Sequence, residues 1–258
     1  MTDISDLTTR EFASGLPDAK VALVPVGATE QHGPNLAMGV DWRIAHAIAQ
    51  RVRDELESTV VVSPPLPFGL SAHHLDFPGT LSIGPDAFRA VLVDVAASFK
   101  RHGIDKLVFV NGHRGNENVL GVLITELTYE HAIEAASTFW MTQASDVIGQ
   151  WRRTQRWGHA CEIETSVAMA VAEDVVRDEE LEAGDLIDDY GVLEDNYQPF
   201  AVTVPRSFAS RTRNGVFGDA TQASIEAGRE ISDTAVQRTV EFVRDFAARP
   251  SRLGRTDR

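Results

Sequence analysis

Short apolar runs alternate with longer segments of helical periodicity along this chain, and no other feature of the sequence limits its fold as much. Val21–Val26 and Val60–Val62 are apolar runs of strand length, and apolar residues recur at helical spacing after each of them. Strands that alternate with helices are typical of layered α/β proteins with a largely parallel sheet. The sequence therefore predicts the α/β class.

Further elements follow the same pattern. Strands are also predicted over residues 107–110 and 137–141, and helices over residues 41–52, 86–102, 116–131, 162–172 and 220–248. Pro85 is expected to start the second of these helices and Asn116 to cap the third. The acidic segment 173–198 is predicted to lie on the surface, and the last ten residues are expected to fray. The 258 residues contain no low-complexity linker, so one domain over residues 1–258 is expected.

The charge balance and the single cysteine restrict the partners and the compartment. The formal net charge is −14, so phosphate backbones and anionic membrane surfaces should be repelled. The first residues lack the basic start and apolar stretch of a signal peptide, and no apolar run reaches the roughly 18 residues of a membrane span. Cys161 can form no intrachain disulfide, which fits a reducing compartment. We expect a cytoplasmic protein with a small-molecule substrate and no nucleic-acid or membrane partner.

Polar loops follow the predicted strands that end at residues 26, 62 and 110. Ligands of parallel α/β sheets bind beyond the carboxyl ends of the strands. Glu30 and His32 lie two residues apart in the first loop, so in an extended segment they would point the same way. Asp41 follows at a predicted helix start, where a carboxylate can bind a metal or simply cap the helix.

Residues 111–116 form a second candidate loop between a strand and a helix. Its glycines let the backbone turn sharply, and His113 would project into the crevice at the sheet edge. In an alternative interpretation, backbone N–H groups and Arg114 bind a phosphate. A structural turn with a solvated histidine is a third interpretation.

A third candidate segment contains His159, Glu162 and Glu164 near a predicted helix start. Glutamates at helix starts often interact only with the helix dipole. Cys161 is expected to be a small buried residue and not a nucleophile. Taken together with the first two loops, the histidines and carboxylates are the ligand types of zinc, manganese and iron in mixed nitrogen–oxygen sites.

In this order the segments resemble the signature of the creatininase family of amidohydrolases. The resemblance rests on residues 25–34 (PVGATEQHGP), 39–41, 71–80, 111–113, 159–166 (HACEIETS) and 215–219 (GVFGD). It implies a three-layer α/β/α sandwich around a mostly parallel sheet and, commonly, a homohexamer. It also implies two divalent metal ions per chain, with zinc as the expected metal and manganese or iron as alternatives.

The resemblance also implies roles for individual residues. Glu30, Asp41 and His113 would hold one metal, and His32 and Asp41 the other, so that Asp41 bridges. Creatininase itself has a glutamate two residues after the histidine of the third motif, where this chain has Gly115, which cannot ligate. Glu164 is the first candidate replacement and Glu162 the second. The expected catalytic residues are His159, as a proton shuttle, Glu162 and Glu164; the expected substrate-binding residues are Ser71, His74, Arg114 and Asp219.

The predicted function is that of a metal-dependent amidohydrolase acting on a non-peptide C–N bond in a cyclic amide, amide or formamide. A hydroxide held between the two metals would attack the carbon, and His159 or a glutamate would protonate the leaving nitrogen. Gly115 argues against creatinine as the substrate. A lactone or sugar-derivative hydrolase and a mycofactocin-type peptidase with the same metal site are the enzymatic alternatives. A non-catalytic protein that binds a metal or a small molecule is the alternative outside enzymology.

Overall fold

Four parallel strands form one sheet in the computed structural model, which describes residues 3–16, 18–187 and 204–251. The strands are β1 (Val21–Val26), β2 (Val60–Val62), β3 (Lys106–Asn111) and β4 (Glu134–Phe139), and their order across the sheet is β2-β1-β3-β4. All three pairings are parallel, and β1 pairs with β3 from Ala22 opposite Leu107 to Val26 opposite Asn111.

Eight α-helices lie within the described residues. They are α1 (Thr9–Gly15), α2 (Val40–Leu56), α3 (Pro85–Arg101), α4 (Glu117–Tyr129), α5 (Trp140–Gln143), α6 (Ser145–Trp151), α7 (Glu162–Val171) and α8 (Ile225–Ala248). Pro85 occupies the start of α3, as predicted. None of these helices combines the length and the apolar character that crossing a membrane requires.

Helices cover both faces of the sheet because successive strand side chains point to opposite faces. Val21 and Leu23 of β1 pack into a core with residues of α2, α7 and α8. Ala22 and Val24 of the same strand pack into a second core with residues of α3 and α4. The predicted three-layer α/β/α sandwich around a parallel sheet is therefore confirmed.

The strand order places a crevice between β1 and β3. From β1 the chain passes through α2 to β2 on one side of the sheet order, and from β3 it passes through α4 to β4 on the other. The loops after β1 and β3 therefore diverge at their carboxyl ends, which is the topological switch point where such folds bind ligands. Residues 27–39 and 112–116 border this crevice.

Three predicted element boundaries were wrong. β4 begins at Glu134 rather than residue 137, because its register with β3 starts at Lys106 opposite Glu134, and this partly exposed edge strand carries little apolar signal. Residue 141 belongs to α5, not to β4. The last helix begins at Ile225 rather than residue 220, because Ala220–Gln222 forms a separate 3-10 turn and the Ser224 side chain caps α8.

Asn116 does not cap α4, although it stands at the N-cap position. Its Oδ1 accepts from the N–H of Leu70 at 3.1 Å, and its Nδ2 donates to the carbonyl of Gly27 at 3.1 Å. The side chain is thus used to join the loops that follow β1, β2 and β3.

Part of the acidic segment lies within the described residues. It contains 3-10 turns at Glu173–Val175 and Asp178–Glu180, and Val175 is buried. Residues 188–198 of that segment, and the predicted frayed end beyond Ser251, lie outside the described residues. The single domain over residues 1–258 stays a prediction.

Candidate active site

Asp41 occupies the centre of a buried cluster at the crevice. Its Oδ1 lies 3.2 Å from Nε2 of His32, which follows β1, and its Oδ2 lies 3.2 Å from Nδ1 of His113, which follows β3. Gly39, not Asp41, is the N-cap residue of α2, so the helix-cap interpretation of Asp41 is wrong. The first turn of α2 therefore presents this carboxylate to both histidines.

Glycines allow the three segments to approach closely. A Cβ on Gly112 would overlap the carbonyl group of Asp41, and a Cβ on Gly27 would overlap the backbone of Trp42. The start of α2 therefore packs directly on the ends of β1 and β3. The glycines of the two loops are used for this packing, as expected for close backbone approach.

Glu164 reaches the same cluster from the first turn of α7. Its Oε2 accepts from the N–H of Ala160 at 2.6 Å and lies 3.5 Å from Nε2 of His32. Ala160 has a φ of 50°, a left-handed conformation that is uncommon for alanine. This local strain turns the Ala160 N–H toward the Glu164 carboxylate.

The ligand atoms form two groups that share Asp41. In each of the groups Glu30–Asp41–His113 and His32–Asp41–Glu164, one atom from every residue lies within 4.8 Å of the others. Glu30 Oε2, His32 Nε2 and Asp41 Oδ2 are buried and make no hydrogen bond within the described protein. Buried polar atoms without such partners are expected where an ion binds, and this donor set fits divalent cations.

The electrostatics also show a site that favours positive charge. Burial would raise the pKa of Asp41, but His32 and His113 outweigh it and hold that pKa below its usual range. Burial would lower the pKa values of both histidines, but the carboxylates raise them well above normal: Asp41 and Glu164 act on His32, and Glu30 and Asp41 on His113. The three carboxylates therefore stabilise cations at this position.

Gln31 connects the cluster to a second pair of histidines. The rings of His74 and His159 are stacked with centroids 4.4 Å apart. The Gln31 amide orientation is set by the Gly33 N–H, which donates to Oε1 at 3.0 Å. Gln31 Nε2 lies 2.9 Å from Nδ1 of His74 and donates to it, so His74 carries its proton on Nε2, which faces Glu30 Oε1 at 3.4 Å.

His159 presents its other ring nitrogen to the cluster. Its Nε2 lies 2.7 Å from the carbonyl oxygen of Gln31, which can only accept, so Nε2 carries the proton. Nδ1 is then unprotonated and faces Glu30 Oε1 at 3.8 Å. The amide nitrogen of Gln31 also lies 2.9 Å from His159 Nε2, which is a contact between two donors in this assignment. Burial, followed by neighbouring histidines, holds the pKa values of His74 and His159 well below normal, so both rings are neutral near pH 7.

Glu162 faces away from the cluster. Its Oε1 accepts from the N–H of Arg153 at 3.1 Å and from the N–H and hydroxyl of Thr154 at 3.0 and 2.8 Å. Its Oε2 accepts from the N–H of Asp219 at 3.0 Å. The structure therefore brings Glu164, and not Glu162, to His32 and Asp41.

A cavity of 440 Å³ opens above the cluster. Glu30, Asp41, His113 and Glu164 lie on its wall, and of the expected substrate-binding residues His74 and Arg114 line it. Ser71 is buried with its hydroxyl unpartnered among the described residues, but it does not line the cavity. Asp219 does not line it either, because its side chain caps the turn at 220–222.

Several cavity residues were not predicted from the sequence. They are His73, Phe208, Arg206 and Arg211. Phe208 packs on the rings of His74 and His159 at centroid distances of 4.4 and 4.6 Å. The sequence gives His73 no role beyond its place beside His74, and the segment around residue 208 carries no motif, so no sequence signal points to these residues.

The backbone of the loop after β3 does not support the phosphate alternative. The N–H of Gly112 donates to the Val26 carbonyl at 2.8 Å, and that of His113 donates to Asn111 Oδ1 at 3.1 Å. The N–H of Asn116 donates to the His113 carbonyl at 3.1 Å. These donors are therefore already used within the protein and do not form an anion cradle.

Carboxylates and imidazoles that converge at the carboxyl edge of a parallel sheet form a cluster of possible ligands for divalent metal ions, of the kind that metal-dependent hydrolases use. Sequence comparison gives the same class. The chain belongs to the creatininase family, described as creatinine amidohydrolase, whose pattern matches residues 5–243. The predictions of this family and of a hydrolase acting on carbon–nitrogen bonds are confirmed.

Three characterised relatives differ in what they act on. The chain is 34% identical to the mycofactocin precursor peptide peptidase of Mycolicibacterium smegmatis, over 87% of this chain and 83% of that protein. It is 26% identical to the creatinine amidohydrolase of Pseudomonas putida, over 94% of this chain and 96% of that protein. It is 28% identical to the 3-dehydro-scyllo-inosose hydrolase of Thermotoga maritima, over 67% of this chain and 57% of that protein.

Solved structures share the fold over nearly the whole chain. A protein from Bacteroides fragilis superposes with a TM-score of 0.86 at 24% identity, over 96% of this chain and 97% of that one. A manganese form of creatininase gives 0.77 at 25% identity, over 95% and 98%. A Zn–Zn form of a creatininase mutant gives 0.77 at 24% identity, over 96% and 100%.

Proposed function

We propose that this chain is a metal-dependent amidohydrolase that opens a non-peptide C–N bond in a cyclic amide, amide or formamide. The position of Asp41 carries the proposal, because its two oxygens face histidines of two different ligand groups. Glu30, Asp41 and His113 would hold one divalent cation. His32, Asp41 and Glu164 would hold the other. Zinc suits these ligands best, with manganese or iron as alternatives.

Cations bound at this cluster would polarise a carbonyl oxygen and lower the pKa of water. The residues of the chain supply the remaining chemistry. His159 faces the cluster with an unprotonated Nδ1, so it can accept a proton and return it to the leaving nitrogen. His74 presents an N–H to the same point. Phe208 packs on both rings, which are buried, and the cavity volume of 440 Å³ fits a small molecule.

A peptidase is the second candidate, and one specific observation favours it. The relative from M. smegmatis acts on a precursor peptide and is 34% identical over most of both chains. The same ligands and the same His159 would serve a peptide bond equally well. A panel that contains formamides, cyclic amides, short peptides and lactones separates this candidate, and the lactone hydrolase, from the primary proposal.

Metal content together with one substitution tests the proposal. We expect elemental analysis of protein purified without chelator to give about two divalent ions per chain. Asp41→Asn should lose the metal and reduce turnover on the best amide by roughly a thousandfold or more. Asp54→Asn, at an exposed position near the other end of α2, is the matched control and should retain both. Circular dichroism would confirm that both variants fold.

The other outcomes discriminate between the alternative functions. A metal-loaded and active Asp41→Asn protein would exclude the bridging role. One ion per chain would indicate a mononuclear enzyme. A wild-type protein that takes up no metal even when it is added back would favour the non-catalytic binding protein.

Homo-oligomerisation, the cytoplasmic location and the lack of nucleic-acid and membrane partners stay proposals. The homohexamer comes from the resemblance to the family. Apolar side chains that a partner copy would cover are exposed at Leu75, Leu81 and Tyr129. Light scattering on the full chain measures the mass directly, and a hexamer mass would support the proposal whereas a monomer mass would contradict it.

A further inference from the structure

Three arginines line the cavity of a chain whose formal net charge is −14: Arg114, Arg206 and Arg211. They differ in burial. Arg114 is exposed and lies 3.8 Å from the carboxylate of Glu117, so its charge is partly neutralised. Arg211 is only 8% exposed. Arginine is rarely buried to this extent, because removing its charge from water is costly. A buried cation on a cavity wall is therefore a strong site for an anion from the cavity.

The backbone holds Arg211 in a defined position. It follows the 3-10 turn Phe208–Ser210, its N–H donates to the Phe208 carbonyl at 2.9 Å, and its carbonyl accepts from the N–H of Ile187 at 2.9 Å. Both neighbouring segments thus fix where the side chain begins. A pre-positioned cation loses little freedom when it binds an anion.

The position of Arg211 near the histidines limits the length of the substrate. Its guanidinium carbon lies 5.9 Å from the ring centre of Phe208. The same ring lies 4.4 Å from the ring of His74. The guanidinium and the histidine pair therefore both lie close to one phenyl ring. An anionic group bound at Arg211 would lie a few covalent bonds from an amide held at the cluster.

A carboxylate fits these features better than a phosphate. The planar guanidinium can donate two parallel hydrogen bonds to a carboxylate. A phosphate is usually also held by backbone N–H groups, and those of Gly112, His113 and Asn116 donate within the protein.

We propose that Arg211 binds a carboxylate of the substrate, and that the substrates are amides that carry a carboxylate a few bonds from the cleaved C–N bond. The amide part of this inference rests on the proposed function, whereas the carboxylate part is independent of it. Arg206, half-buried in the lining of the same cavity, adds to its positive potential.

Matched acids and carboxamides test the inference. The probes are N-formylglycine, N-formyl-β-alanine and N-formyl-4-aminobutyrate, each against its carboxamide. For the best pair we expect kcat/KM of the acid to exceed that of the carboxamide by about tenfold or more, as for a charge-assisted contact. Arg211→Gln should bring this ratio close to one, and Arg211→Lys should keep part of it. Arg213→Gln is the control, since Arg213 lies two residues away, is exposed and pairs with Asp185 at 2.8 Å; it should leave the ratio unchanged.

Calorimetric binding separates the two proposals. The probes are N-methylsulfonylglycine and its carboxamide, which are not amides of a carboxylic acid and resist hydrolysis. Tighter binding of the acid that is lost in Arg211→Gln and kept in Arg213→Gln supports the carboxylate site, even if no formamide is hydrolysed and the proposed function fails. Hydrolysis with no preference for the acid, or a preference that persists in Arg211→Gln, overturns the inference and leaves the proposed function intact.

Discussion

Gly115 lies directly against the imidazole of His113, so that a Cβ on this glycine would overlap Nε2 of the ring. The space is filled instead by the carbonyl of Leu70, whose oxygen lies 3.2 Å from that Nε2. A carbonyl oxygen only accepts, so Nε2 of His113 carries a proton. In the neutral ring Nδ1 is then the free nitrogen, and it faces Glu30 and Asp41. Hydrogen bonds of this kind orient the histidine ligands of metal sites.

Restoring a glutamate at this position should therefore harm the site rather than complete it. In Gly115→Glu the new Cβ would meet His113 and would lie 2.5 Å from the Leu70 carbonyl oxygen. We expect a loss of about 1–3 kcal/mol of unfolding free energy and a lower metal content. Thermal unfolding and elemental analysis measure both.

Gly121→Glu is the control for that substitution. Gly121 lies in α4, and a Cβ there meets nothing within 4 Å. This variant should therefore keep its metal. Because glycine is a poor helix former, its free energy of unfolding should rise by about 0.5–1 kcal/mol. A fully metal-loaded Gly115→Glu protein with unchanged stability would refute the steric argument.

The two glutamates of α7 should respond differently to the same substitution. Glu164→Gln should reduce the metal content, because this carboxylate faces His32 and Asp41 in the second ligand group. Glu162→Gln should keep the metal and lose about 1–3 kcal/mol of stability. The amide retains one acceptor oxygen, but its NH₂ cannot accept from the N–H groups on the other side, either those of Arg153 and Thr154 or that of Asp219. The opposite pattern would make Glu162 the ligand.

Gln31→Glu should impair turnover without removing the metal ligands. The new carboxylate cannot donate to His74 Nδ1 and would repel the carbonyl oxygen of Gly215, 3.3 Å from the present amide nitrogen. We expect a loss of at least about tenfold in kcat, a part of the 10²–10⁴ that acid–base groups contribute. Nitrogen-15 NMR of the imidazoles would report the changed proton position.

Gln50→Glu is the matched control, because Gln50 Nε2 also lies 2.9 Å from a histidine, His46, but on the outer part of α2. Its kcat and its NMR spectrum at His74 and His159 should equal those of the wild type. Equal losses in both variants would show that the effect is general charge and not the contact at Gln31.

The thiol of Cys161 should be inert and should make stability depend on alkaline pH. Burial, with Glu162 and Glu164 nearby, raises the pKa of this thiol from 9.0 to about 12. The folded state therefore binds more protons than the unfolded state between these values. The contribution of the thiol to the free energy of unfolding is fully present below pH 9.0. It is lost as the pH rises to about 12, and the loss amounts to up to about 4 kcal/mol.

Denaturant titrations across that pH range measure the effect. Cys161→Ala should cost roughly 1 kcal/mol near neutral pH but should show a shallower decline at alkaline pH than the wild type. A thiol reagent should modify wild-type protein only after unfolding. Parallel declines in both proteins would assign the alkaline loss to other groups.

The sequence predicted the part of the site that lies at element ends. Glu30, His32 and His113 follow strands, and the family motifs located Asp41. The motifs did not decide between Glu162 and Glu164. Residues two apart on a helix point about 200° from each other, so only one can face the cluster. That choice depends on the strained backbone at Ala160, which no spacing reveals.

Other parts of the site depend on tertiary packing. Phe208 and Arg211 reach the cavity because the segment that precedes α8 folds back over the histidines. Neither residue belongs to a periodic pattern or a motif. The cap predicted at Asn116 failed for the same reason, since its side chain bonds to Leu70 and Gly27, which are distant in sequence.

The approach of His32 to Glu164 closes a loop that contains about half of the chain. Bringing such distant residues together costs chain entropy, and a link between them restricts the unfolded ensemble in the way a disulfide does. A cation shared by these two side chains would therefore tie the strand-rich first half of the molecule to its C-terminal helices. The ion would then be a crosslink as much as a reagent, and its removal would first loosen the junction of the two halves while the sheet itself stayed intact.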